Sequence, residues 1–181
     1  ATASNRKLLD EIAATPGAAG RLIPAFTIAP TLQYETGAMA ELRRTMTAHG
    51  VRALRVFRER WPLTLLEPVV RAVGDLHPVV VINVREGLDV REIRAFCAAL
   101  PEVPLVALHG MWPHQPALFD LLQHCPNVRI DTSWMHTAGT IEMVVQRFGA
   151  ERLLFGTGGR AMNGAGVAAL AQAEVTDAVR A

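Results

Sequence analysis

Short apolar runs alternate with amphipathic helical patterns along almost the whole chain, and no other feature of the sequence constrains the fold as much. Strands are expected at 21–28, 52–57, 78–84, 104–109, 127–132 and 152–156, each followed by a helix. The helix over 35–50 closes on Gly50, and that over 140–149 on Gly149. "LTLLEPVVRAVGDL" (63–76) carries Thr64 and Glu67 at capping-box spacing, and Asp89 and Glu92 open "DVREIRAFCAAL" with the same spacing. Further helices are expected over 115–125 and 166–181, and one near the start takes Ser4 or Asn5 as its N-cap. These make about six βα units at a period of roughly 25 residues, the mark of a parallel α/β architecture. The strands read as continuous apolar runs, as expected when both faces are buried. Two layouts fit this rhythm: an open doubly wound sheet, or a (β/α)8 barrel lacking about two units. No early G-x-G-x-x-G turn points to a dinucleotide.

Composition narrows the function classes. A chain of 181 residues suits one core, so residues 1–181 read as a single domain. The net charge is only +1, Lys7 is the one lysine and the arginines are scattered, which argues against nucleic acid. "PVVVINV" is strand-sized, and no apolar run reaches membrane-span length. Cys97 and Cys125 fall in separate helical segments and read as reduced, buried thiols of a cytoplasmic protein. The start at Ala1, close to a helix, raises the expectation of further sequence upstream.

In either layout the chemistry lies at the carboxyl ends of the strands. The polar residues there are Arg55 and Arg58, Asn83 and Arg85, His109 with Trp112 and His114, then Asp131, Ser133 and His136, and finally Thr157, Arg160 and Asn163. His109 is the foremost candidate, because it ends "PLVALHG" and an imidazole serves as metal ligand or as general base near neutral pH. Asp131 ends the next strand, where it is a candidate to orient a histidine, although "DTS" is also an N-cap-like turn. Arg55, Arg58 and Arg85 are candidates for gripping an anionic substrate group, although strand-end arginines also pair with nearby carboxylates. His49, His77 and His124 read as helix C-terminal residues favoured by the dipole.

The run "RLLFGTGGRAMNGAG" (152–166) opens from a strand into Gly156, Gly158, Gly159, Gly164 and Gly166. Glycine-rich turns after a strand expose backbone N–H groups to an anion. Gly158, Gly159 and Arg160 are therefore candidate anion-binding residues, with Thr157 beside them.

With these residues assembled, the chain resembles the amidohydrolase superfamily, in the amidohydrolase-related branch of metal-dependent TIM-barrel hydrolases and decarboxylases. "VPLVALHG" is similar to that branch's sixth strand, "CPNVRIDTSW" to its seventh, and "IEMVVQRFGAERLLFGTGG" to the helix and eighth strand that follow. The resemblance implies a (β/α)8 barrel whose first two strands are missing here. It implies a small, carboxylated substrate, hydrolysed at a C–N or C–O bond or decarboxylated, and it is compatible with a homo-oligomer. It also implies a divalent metal such as zinc in the full-length protein, with His109 as a ligand. The pattern departs from the family at two places. Gly158 stands where the family has a metal-binding aspartate, and Asn83 or its neighbour stands where a ligand histidine is usual. No metal site is therefore expected from residues 1–181 alone, since a catalytic zinc takes about three protein ligands. The competing reading is a non-catalytic relative that binds a small molecule and has lost the metal.

Overall fold

The computed structural model describes residues 2–57, 61–87, 89–159 and 163–180. Six strands form one sheet: β1 (Ala25–Ile28), β2 (Ala53–Val56), β3 (Val79–Asn83), β4 (Leu105–Leu108), β5 (Val128–Asp131) and β6 (Leu153–Leu154). The spatial order is strictly sequential, and every neighbouring pair is parallel. This order decides between the two layouts. A doubly wound sheet reverses its strand order at a switch point, whereas sequential strands joined by right-handed crossovers keep all their helices on one face, as in a barrel wall.

Eight α-helices accompany the strands among the described residues: α1 (Thr2–Ala14), α2 (Ala38–His49), α3 (Glu67–Arg71), α4 (Val90–Ala99), α5 (Gln115–His124), α6 (Thr140–Phe148), α7 (Asn163–Gln172) and α8 (Asp177–Arg180). None is long and apolar enough to cross a membrane. Phe26, Ile28, Leu54, Val56, Val80, Ile82, Leu105, Ala107, Val128 and Ile130 are buried on the helical face of the sheet. They join Leu42, Met46, Ile93, Phe96, Leu118 and Leu121 of the helices in one hydrophobic core. Each such side chain contributes about 1.5–3 kcal/mol when fully buried. Cys97 and Cys125 are free and buried in the same core, and burial pushes the Cys97 thiol up to about 12, so it stays protonated.

The expectation of strands buried on both faces is corrected. In β1, β2 and β3 buried residues alternate with half-buried ones, because the helices cover only one side. The uncovered face carries Thr27, Arg55, Val81, Asn83, Arg129 and Asp131, the face that lines the interior when such a wall curves into a barrel.

Several expected boundaries shift for local reasons. The first strand starts at Ala25 rather than residue 21: Leu22 and Ile23 are apolar but exposed, and Pro24 has no N–H for a ladder. The segment 63–76 breaks into a 3-10 turn, the short α3 and a second 3-10 turn, and Thr64 lies inside the first turn without capping anything. The last helix divides into α7 and α8. Asp89 does cap α4, accepting from Arg91 N (2.9 Å) and Glu92 N (3.3 Å). The Glu92 carboxylate accepts the Leu63 N–H.

Asn5 is no N-cap either. It lies inside α1, 6% exposed, and its carboxamide accepts from Thr27 N (2.7 Å) and donates to Thr27 O (3.0 Å). One side chain thereby satisfies both main-chain groups of Thr27 in the terminal strand β1, as a neighbouring strand would. At the other end of the sheet, the Arg152 guanidinium donates to Val128 O, Leu122 O and Cys125 O at 2.8, 3.1 and 2.7 Å, fastening the start of β6 to β5 and α5.

Candidate functional site

The carboxyl ends of β2 to β5 bring four of the expected residues into one connected network. Arg55 lies in β2, Asn83 ends β3, His109 follows β4 and Asp131 ends β5. The Asn83 side chain is the hub. Its Oδ1 accepts from Arg85 N (3.0 Å) and lies 3.1 Å from His109 Nδ1, while its Nδ2 donates to Glu86 Oε1 (3.0 Å). Glu86 in turn approaches the Arg55 guanidinium at 3.9 Å, so Arg55 is the carboxylate-paired arginine foreseen as its alternative.

Asp131 does orient His109, through the main chain rather than the ring. Its Oδ1 accepts the His109 N–H at 2.8 Å, and its Oδ2 accepts the Ser133 hydroxyl. The tether matters because His109 has φ +65°, a left-handed conformation that costs a residue with a Cβ about 1–2 kcal/mol. Asp131 is only 5% exposed. Burial pushes its carboxyl above the usual range, and the hydrogen bonds from Ser133 and the His109 amide offset part of that rise. Space around it is tight: a Cβ on Gly156 would stand 2.5 Å from Asp131 Oδ2, so this position requires glycine.

Trp134 completes the cluster. Like His109 it has a left-handed backbone, at φ +68°. The Arg85 guanidinium lies 4.7 Å from its ring centroid, and the His109 ring meets it edge-on at 6.3 Å and 86°. The ring of His136 is 6.2 Å away. The buried Trp134 Nε1–H reaches no acceptor among the described residues. Two non-glycine left-handed residues in one polar cluster are the kind of local strain that concentrates at functional sites.

Other expected residues stand apart. Trp112 is 69% exposed in the turn before α5. Gly158 and Gly159 have left-handed φ of +72° and +87°, as a tight loop requires. Arg58 and Arg160 lie outside the described residues. Trp134, Glu86 and Gly156 escaped the sequence reading. Glu86 sits three residues after Asn83 and Trp134 three after Asp131, and that proximity to strand ends was the available signal.

The donor set does not suit a catalytic divalent metal. His109 Nε2 has no hydrogen-bond partner among the described residues, but Asn83 Oδ1 is already engaged twice, and both Asp131 oxygens accept hydrogen bonds. Among the described residues no three His, Cys, Asp or Glu side chains are placed to hold an ion.

Comparison with known proteins places this geometry in context. Residues 1–159 match the model of the family described as Amidohydrolase. No curated protein matches the chain. Among solved structures, 2,6-dihydroxybenzoate decarboxylase from Rhizobium is similar over 98% of this chain and 72% of its own, with TM-score 0.67 and 18% identity. An uncharacterised TIM-barrel protein from Bordetella bronchiseptica matches over 94% of this chain and 66% of its own, with TM-score 0.70 and 19% identity. A 5-carboxyvanillate decarboxylase from Novosphingobium aromaticivorans, with bound manganese and 3-methoxy-4-hydroxy-5-nitrobenzoic acid, matches over 99% of this chain and 67% of its own, with TM-score 0.70 and 14% identity. At such identities the likeness establishes the fold: the six-stranded sheet is the wall of a TIM barrel.

Proposed function

The chain belongs to the amidohydrolase family, and from that premise we propose that it acts on a small carboxylated molecule, as a decarboxylase or hydrolase, with an aromatic carboxylate as the leading substrate class. The observation that carries this reading is His109: its ring is fixed by Asn83 and flanked by Trp134, and among the described residues nothing hydrogen-bonds its Nε2 at the strand ends. Arg85 brings its guanidinium to the same rim, where it binds the substrate carboxylate, while Arg55 stays paired with Glu86. In a decarboxylation, imidazolium Nε2–H protonates the ring carbon that bears the carboxylate. The bond to the carboxylate then breaks, CO2 leaves, and the released electron pair restores the aromatic ring. His109 ends neutral and takes its next proton from water. Asp131 acts through the His109 backbone and is a positioning residue. The buried thiols suit a reducing, cytoplasmic setting.

Manganese is bound in the neighbouring 5-carboxyvanillate decarboxylase, and no step here is routed through an ion, because the donor set described above does not fit one. That misfit favours a second reading, a relative that binds the carboxylate without turning it over.

The test is CO2 release from 2,6-dihydroxybenzoate and 5-carboxyvanillate by the full chain, alongside calorimetric binding of both compounds. Release that falls about 10²–10⁴-fold in His109→Gln supports the catalytic reading. Binding without release supports the second. Neither binding nor release overturns both.

A further inference from the structure

We infer that Asn83 is a positioning residue that locks neutral His109 in the Nδ1–H tautomer, occupying with a hydrogen bond the strand end where the resemblance called for a metal ligand. The tautomer follows from three contacts of one carboxamide. Asn83 faces the Arg85 main-chain N–H at 3.0 Å, and that group only donates, so the facing atom is oxygen. It faces the Glu86 carboxylate at 3.0 Å with its other end, and a carboxylate only accepts, so that end is the amide nitrogen. Rotating the carboxamide by half a turn would set donor against donor and acceptor against acceptor, and the orientation is therefore unique. The atom 3.1 Å from His109 Nδ1 is that same oxygen, which cannot donate. His109 Nδ1 must supply the proton.

Two consequences follow for the ring. In the neutral imidazole the lone pair lies on Nε2, and in the imidazolium the exchangeable proton does too, while Nδ1–H stays bonded to Asn83 in both states. An imidazole free in water prefers its proton on Nε2, so the protein holds the less favoured form. The Asp131 contact with the His109 amide and the edge-on Trp134 ring fix the ring's direction, and among the described residues Asn83 alone hydrogen-bonds the ring and sets its tautomer. The tautomer stands on these hydrogen bonds; only its use in proton transfer rests on the function proposed above.

The experiment is ¹⁵N NMR of histidine-labelled full chain at about pH 8.5, well above the ordinary histidine value. It compares wild type, Asn83→Leu and Asn83→Asp. In wild type the His109 Nδ1 resonance is expected in the protonated, pyrrole-like range and Nε2 in the unprotonated, pyridine-like range. Asn83→Leu removes the acceptor, and the two resonances exchange ranges. Asn83→Asp keeps an acceptor oxygen and restores the wild-type pattern. A wild-type His109 with its proton on Nε2 overturns the inference without any variant, as does an Asn83→Leu protein that keeps Nδ1–H. The spectrum is read without substrate, so a chain that releases no CO2 but shows Nδ1–H refutes the catalytic reading and leaves this one standing.

Discussion

Asp131 offers the sharpest separation of charge from hydrogen bonding. Asp131→Asn keeps an acceptor for the His109 N–H and places an amide that donates to the Ser133 oxygen, whereas Asp131→Ala removes both partners. In the alanine variant a buried main-chain N–H at a left-handed residue is left without an acceptor, which costs about 2 kcal/mol. For a chain of this size that gap corresponds to roughly 4–8 °C in Tm between the two variants. The wild type moves against both with pH. Burial raises the Asp131 carboxyl in the folded state, so the protonated acid is the form that stabilises the fold. Its contribution is complete below the unfolded value of about 3.9 and is lost as pH rises through the raised folded value. Wild type should therefore match Asp131→Asn near the acid end and fall below it by neutral pH, while the gap between asparagine and alanine stays constant. Urea unfolding of the three proteins across that range supplies the measurement. An asparagine variant no more stable than alanine, or a wild-type curve parallel to asparagine at every pH, would refute this account.

Three further outcomes are expected. Asn5→Ala should lose about 2 kcal/mol and speed hydrogen exchange at the Thr27 amide specifically, read by exchange NMR; unchanged Thr27 protection would contradict the edge contact. Asp89→Ala should lose about 1 kcal/mol in thermal unfolding through the missing α4 cap, with Asp89→Ser recovering most of it. Gly156→Ala should destabilise by about 1–3 kcal/mol and alter the His109 NMR signals, because the added methyl drives into Asp131; a silent substitution would show that the contact relaxes freely.

The strand centres, the parallel order and the barrel family were legible because apolar runs at a regular spacing admit few architectures. The edges of elements were less so. Leu22 and Ile23 imitate a strand in composition, and only Pro24 warned that the ladder begins later. The identity of the site residues at β2 to β5 was visible, since polar groups at strand ends stand out against apolar runs. Their partners were not. The contact between Asn83 and His109 depends on the register of β3 against β4 across 26 positions of chain, which no local pattern encodes. In the same way, the place of Asp131 at a strand end suggested that it orients a histidine, but whether by ring or backbone depends on the left-handed turn at His109. Gly156 carries no side chain to advertise its closeness to Asp131.

The amide bridge from Asn5 to Thr27 also makes the two ends of the sheet unequal as templates. A strand arriving at β1 finds the Thr27 donor and acceptor already taken, and must displace a buried side chain to pair there. At β6 the sheet ends beside the exposed Leu154 and Phe155, with apolar surface beside its last strand. Growth by strand addition is thus polar: guarded where the sheet begins, permitted where it ends.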